Sequence, residues 1–279
     1  MNVKVVPNSV HPHRSLAKSL RSTQRFHQQL DRRSQWQSNL RLFRLFCSQL
    51  PQTMPNPIFV KVGANDGITG DPCSDILIAD TRWRGLLIEP VPYCFARLRQ
   101  NFSDSARFAL EQVAVGPRAA QSTFYWVGEE ARELCADLPN WFDQLGSFDR
   151  QHILKHLNGI LEPFIIELQV EVLPLSEILQ GNQIQDCHLL HIDAEGHDYQ
   201  VLRTLDFSLT RPVAIFIEHK HLGDSERSEL LGLLYAHRYL VRDCGGDYFA
   251  IDKKANKAFC HGDRIIRAYR RRSATTPQT

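Results

Sequence analysis

In 279 residues, 33 Lys and Arg against 31 Asp and Glu give a formal charge of +2, with 43% hydrophobic and 23% charged residues. That balance belongs to a globular chain able to bury a core without a disulfide or metal staple, and it excludes disorder throughout. No apolar run approaches the roughly 18–20 residues of a membrane span, and residues 1–30 hold no apolar stretch fit for a secretory signal, so a cytoplasmic protein is expected.

The seven cysteines stand singly, with no Cys-x-x-Cys and no Cys/His cluster at zinc spacing, and read as free thiols of a reducing compartment. The net charge is a cancellation: residues 1–50 carry +8, residues 51–251 carry −12 and residues 252–279 carry +6. The organisation this suggests is a basic arm with a docking helix over 1–55, an acidic body over 56–253 and a basic tail over 254–279. The arm reads as loose until Leu40, Leu42, Phe43, Leu45, Phe46 and Leu50 gather near its end. Both ends could meet an anionic partner or be solvated extensions, and neither carries a recognisable binding motif.

In chain order, the body alternates strand and helix signals. Ile58–Val62 is a short apolar run that suits a buried parallel strand, followed by helical spacing over 73–83 that starts at Asp71-Pro72. A second strand over 85–89 leads to a helix over 92–102 with Pro92 in its first turn. A third strand is expected over 108–115, then an alternating segment over 122–127. Residues 128–160 are polar, mostly helical and out of rhythm, so they read as an insertion. Residues 164–173 alternate as an exposed or edge strand would. A strand over 188–193, a helix over 196–205, a strand over 213–218 and a helix over 224–237 follow. The chain closes on strands over 239–242 and 248–251, joined by a Gly-Gly turn. The sum is an α/β, doubly wound, mostly parallel sheet with an antiparallel strand added at its edge by the last hairpin.

In such sheets ligands bind at the carboxyl ends of strands, where strand order reverses. The first strand ends in Gly63-Ala64-Asn65-Asp66-Gly67, whose glycines would let backbone approach a ligand closely. The second ends in Glu89-Pro90, a carboxylate placed to accept hydrogen bonds from ribose hydroxyls. Loop and acid together indicate a nucleoside-containing ligand. The fourth strand ends in Asp193-Ala194-Glu195-Gly196-His197-Asp198, and the fifth in Glu218-His219 with His221 beyond. So acidic a mouth favours a cationic sulfonium over a pyrophosphate.

The run from Val62 to Gly67 followed by Asp71-Pro72, the run Leu87-Ile88-Glu89-Pro90, and His191-Ile192-Asp193-Ala194-Glu195-Gly196 followed by Val201-Leu202 resemble the FkbM family of S-adenosylmethionine-dependent methyltransferases. The resemblance covers about residues 58–253. It implies the class I, Rossmann-like fold of seven strands in the order 3-2-1-4-5-7-6, with strand 7 antiparallel. It also implies S-adenosyl-L-methionine as cofactor and methyl transfer, usually to a hydroxyl. Gly63, Ala64, Asn65, Asp66, Gly67, Glu89, Pro90, Asp193 and Glu195 are the cofactor-binding candidates. Lys61 departs from the pattern, standing where many class I enzymes carry an acid, so the ligand's amino group is expected to lean on Asp66 or Asp193.

In-line methyl transfer depends first on positioning the acceptor and then on a base, for which Asp193, His197 and His219 are candidates. Asp193, Glu195, Asp198, Glu218 and His219 could instead gather Mg²⁺ to carry the acceptor as its alkoxide, but neighbouring carboxylates do not by themselves make a metal site, and no metal ligand is assigned. The insertion, with Trp141, Phe142 and Phe148 and with Trp126 just before it, is expected to cover the site of a small-molecule or glycan acceptor: a sugar, a lipid or a secondary metabolite. Two other classes compete. A nicotinamide oxidoreductase would want a Gly-x-Gly-x-x-Gly that is absent in register, and a non-catalytic adaptor would have no need of the strand-end acids.

Overall fold

Strand segments rich in Ile, Leu, Val and Phe, buried on both faces, can only be stable inside a sheet covered on each side. The computed structural model of the protein describes residues 12–135 and 137–255, with side chains of the first helix from Asp31 onward. Its elements are α1 (Pro12–Thr53), β1 (Ile58–Val62), α2 (Ser74–Ala79), β2 (Arg84–Ile88), α3 (Pro92–Asn101), β3 (Phe108–Glu111), β4 (Ala114–Val115), β5 (Ala120–Val127) and α4 (Glu130–Leu134). They continue with α5 (Arg150–Leu154), β6 (Ile165–Leu173), α6 (Leu175–Gly181), β7 (Leu189–Ile192), α7 (Asp198–Arg203), β8 (Ala214–Glu218), α8 (Asp224–Ala236), β9 (Tyr239–Asp243) and β10 (Asp247–Asp252).

The large sheet has seven strands in the order β3-β2-β1-β7-β8-β10-β9. All pair in parallel except β10, which runs antiparallel to both β8 and β9. The α/β, doubly wound sheet with its antiparallel strand in the last hairpin is thus as expected, and its strand order is the class I one. Alternate residues serve opposite faces. Val60, Val62, Leu190, Ile192, Ile215 and Ile217 pack with the buried side chains of α6, α7 and α8. Phe59, Leu87, Leu189 and Phe216 pack on the other side with α1, α2 and α3.

α1 docks through its last third. Phe43 stacks on Phe216 with ring centroids 4.1 Å apart, Asn39 Nδ2 donates to the Asp243 carbonyl at 2.7 Å, and Trp83 Nε1 donates to the Cys47 carbonyl. The arm is not loose, however: the helix already begins at Pro12. Once the docked turns have met the cost of nucleation, each added residue needs only propagation, for which Ala, Leu, Lys, Arg and Gln are good formers. Residues 1–11 and the tail beyond 255 lie outside the described residues. Six described cysteines are free thiols, and among the described residues no helix is long and apolar enough to cross a membrane.

Two expectations about the strands change. The segment 108–115 divides, β3 staying in the large sheet while β4 joins a second sheet of order β4-β6-β5. β6 is the middle strand of that sheet, parallel to β4 and antiparallel to β5. Its alternation reports one wet face, carrying Glu167, Gln169 and Glu171, rather than an edge position. α6 is an element that the periodicity did not reveal; at seven residues it is too short to show its period, yet it buries Leu175, Ile178 and Leu179.

Phe43 is fully buried, so Phe43→Ala should cost about 3–5 kcal/mol in denaturant unfolding, against about 0–1 kcal/mol for Arg44→Ala, whose ion pair with Asp75 is exposed.

Candidate functional site

The strand order reverses between β1 and β7, and the site forms where these two strands end. Gly63 has φ +70°, and a Cβ there would lie 1.7 Å from the Asp193 carbonyl oxygen. At Gly67, with φ +79°, a Cβ would meet the Phe102 ring at 2.3 Å. At both positions the fold itself requires glycine, and of the two only Gly63 borders the cavity described below. Between them, the Gly63 and Ala64 amides donate to the Ile88 carbonyl, tying the loop to β2.

Glu89 is buried at the end of β2 and holds this loop from the other side. Its Oε2 accepts from the Asn65 amide at 2.7 Å and its Oε1 from the Val91 amide at 2.9 Å. Burial pushes its carboxyl up to about 7 against those two bonds, with Lys61 opposing the rise and Asp143 adding to it. Asp66 spends its oxygens inside the turn, accepting from the Ile68 and Thr69 amides and the Thr69 hydroxyl. Asp66 does not line the cavity, whereas Asp193, the other acid expected to meet a ligand amine, does, and so does Asp71.

Asp71 also resolves the anomaly at Lys61. Lys61 sits beside His191 in the sheet, both buried, and its ammonium is bonded to Asp71, whose Oδ2 lies 3.5 Å from His191 Nδ1. Burial disfavours an ionised Asp71, but Lys61 and His191 outweigh it and hold the carboxyl below its usual range. Burial pushes His191 down to about 4, leaving it neutral. The other Asp71 oxygen accepts from the Cys73 and Ser74 amides and so starts α2.

At the end of β7, Asp193 Oδ1 is enclosed and has no hydrogen-bond partner. Desolvation first, then the charge of Glu195, push this carboxyl up to about 6. Asp198 is fully buried and consumed by the chain itself, accepting from the Ala194 amide at 2.8 Å and the Gly196 amide at 3.0 Å. Glu195 has φ +48° and turns its carboxylate to His152 Nε2 at 3.2 Å and His221 Nε2 at 3.3 Å. His197 is half-buried against Phe148, with ring centroids 5.0 Å apart, and burial lowers its pKa. His219 is not in the cavity wall: it stacks on Tyr248 at 3.8 Å with Nε2 3.6 Å from Asp243. The five residues considered for Mg²⁺ do not form one cluster; Asp193, Asp198 and Glu218 converge, and Glu195 and Glu218 converge separately with His221.

These elements enclose a cavity of about 820 Å³, its open mouth included. Its lining combines the apolar Ile88, Val91, Val113, Ala114 and Phe124 with the carboxylates of Asp71, Glu89, Asp143, Asp193 and Glu195. Gly63, Asn65, Pro90 and His197 also line it, whereas Ala64, Asp66 and Gly67 do not. The inserted segment contributes Asp143, Gln144, Gly146 and Phe148, and is anchored by Gln144 Nε2 donating to the Thr69 carbonyl and by the Arg97–Asp143 pair at 2.9 Å. Of the four aromatic residues expected to cover the site, Phe148 lines it. Trp126 and Phe142 belong to buried clusters, and Trp141 is exposed beside His156.

Removing one partner of the buried pair should be costly. Lys61→Met is expected to lose about 3–5 kcal/mol in denaturant unfolding, and Lys61→Met/Asp71→Asn to recover part of that loss.

A sequence profile of the family described as Methyltransferase FkbM domain matches residues 61–248, more than half of the chain. Among solved structures, the chain is similar to the crystal structure of Methyltransferase FkbM from Methylobacillus flagellatus KT, with 15% identity and a TM-score of 0.42, over 71% of this chain and 43% of that one. The chain thus spans less than half the length of that protein. No curated protein sequence matches at a significant level. The profile runs from Lys61 in β1 to Tyr248 in β10, through every loop that shapes the cavity, and the chain belongs to the FkbM methyltransferase family.

Proposed function

We propose that the protein transfers a methyl group from S-adenosyl-L-methionine to a hydroxyl of a small-molecule or glycan acceptor: a sugar, a lipid or a secondary metabolite. The observation that carries this reading is the cavity lining, which combines apolar side chains that suit an adenine face with carboxylates that suit a sulfonium cation. Asp193 Oδ1, enclosed and unpartnered, is the kind of group a bound cation would satisfy. Glu89 would take the ribose hydroxyls, Ile88, Val91 and Val113 the base, and Asn65 and Asp71 the amino-acid end. The cofactor supplies the activated methyl group, and the chain's own work is to hold an acceptor oxygen in line with it and take up the oxygen's proton. His197, neutral because burial lowers its pKa, is the base best placed in the wall, and Phe148 beside it offers an apolar face to the acceptor. Family membership supports this over a nicotinamide oxidoreductase, since an acidic lining repels a pyrophosphate. An adaptor would not need that lining. Free thiols in the described core suit a reducing cytosol.

Calorimetry with S-adenosylmethionine should give a 1:1 complex that Glu89→Gln weakens by about 10–100-fold, the equivalent of one charge-assisted hydrogen bond; unchanged affinity would refute the ribose assignment. The affinity should also depend on pH. In the free protein the Glu89 carboxyl titrates near 7, with Lys61, Asp143 and Cys94 as its charged or titratable neighbours. Donor hydroxyls favour its ionised form, so binding lowers this pKa and releases a proton. Affinity is therefore full above about pH 7 and falls as pH drops below it, a slope that Glu89→Gln should flatten. His197→Gln should lower kcat by about 10²–10⁴ with little change in cofactor affinity.

A further inference from the structure

The structure assigns a second site, for a divalent metal ion of the zinc class, to His152, His156, His221 and Glu195. His152 lies on α5 and His156 just beyond its end, with ring centroids 5.0 Å apart; both come from the insertion. His221 follows β8, and Glu195 follows β7. Two segments distant in sequence thus bring three imidazoles to one point, and a third brings a carboxylate. The ligand nitrogens of the three histidines all lie within 4.8 Å of one another, and their ring centroids are 5.0, 5.0 and 5.5 Å apart.

Glu195 Oε2 borders this group, at 3.2 Å from His152 Nε2 and 3.3 Å from His221 Nε2, and forms a second group with Glu218 and the same His221. Bonds of about 2.0–2.1 Å to a tetrahedral centre place ligand atoms about 3.3 Å apart. A second acid points the same way: Glu218, 2% exposed, has an unpartnered Oε2 that lies 4.0 Å from His221 Nε2. Three imidazole nitrogens with one carboxylate oxygen suit zinc, cobalt or nickel, and not magnesium or calcium, which prefer oxygen. The corner also gathers the carboxyl groups of Glu195, Glu218 and Asp193, and burial with mutual repulsion raises the last two, a cost that a bound cation would reverse. The same corner is where the insertion meets the strand ends. A bound ion would pin the segment carrying α5 to the ends of β7 and β8, with Glu195 shared between the metal and the cavity wall.

The test uses the full chain, stripped with a chelator, dialysed, and titrated with Zn²⁺ by calorimetry and with Co²⁺ by absorption. One Zn²⁺ per chain is expected, with a rise in melting temperature. The Co²⁺ spectrum should show visible bands of nitrogen and oxygen ligation without thiolate charge transfer, which separates this site from the cysteines. His156→Ala and His221→Ala should each weaken Zn²⁺ by more than about 100-fold, the upper end of what losing an outer-sphere partner costs. Circular dichroism controls for folding, and His156→Gln is the second variant should either alanine change misfold. Absence of stoichiometric binding, a thiolate spectrum, or unchanged affinity in the folded histidine variants would overturn the assignment and leave a hydrogen-bonded cluster of histidines and Glu195. Because the readouts are metal content, spectrum and melting temperature, none depends on the proposed methyl transfer.

Discussion

Where β1 and β7 end, the backbone at Gly63 runs so close to the Asp193 carbonyl that a side chain could not exist between them. The contact joins two parallel neighbours at the point where the strand order reverses, and both loops leave it in opposite directions. One loop must then be pinned from β2, which is what Glu89 does through the Asn65 amide; the other is folded back on itself by Asp198 through the Ala194 and Gly196 amides. The cavity is the space left between two loops that are each closed by a buried carboxylate. Those acids are structural before they are anything else, which explains why they occupy positions where ionisation is disfavoured.

Charge at the strand ends is handled in two ways. Lys61 and Asp71 neutralise each other beneath the first loop, and His191 stays uncharged beside them, so that part of the sheet is electrostatically closed. Asp193, Glu195 and Glu218 are not balanced in that way. Lys220 reaches Glu218 from an exposed position, while Asp193 keeps one oxygen without a partner. Enclosing these acids together disfavours their ionised forms, which raises the Asp193 and Glu218 carboxyls, and a proton or a cation would relieve the same cost.

The order of strands and helices was legible because each buried strand is a run of apolar residues bounded by breakers, and the Glu89 and Asp193 strand ends followed directly from that order. What was hidden depends on contacts between distant segments. Gly63 and Gly67 are visible as glycines, but only the fold says that Asp193 and Phe102, not a ligand, occupy the space of their missing side chains. Asp71 looked like a helix start, which it is, and its pairing with Lys61 adds a role that no local pattern could show. His219 and His221 both lie beyond the end of β8, where no strand period applies, and the turn there sends one onto Tyr248 and the other toward Glu195. His152 and His156 stand at zinc-like spacing, but their partners lie 39 or more residues further along the chain, and a search centred on cysteines passes over them.

The insertion links these points. It leaves the small sheet after β5, buries a core of its own around Phe142, Leu145 and Ile153, and returns through β6. Nothing in that core obliges it to face the strand ends. What orients it is polar: Gln144 on the Thr69 carbonyl, Asp143 on Arg97, and His152 on Glu195. All three contacts lie at or beside the cavity, so the segment that would meet an acceptor is held by the loops that would hold the cofactor. The two sets of loops are thus coupled through these hydrogen bonds, and also through Phe148, which packs on Phe124 and on His197.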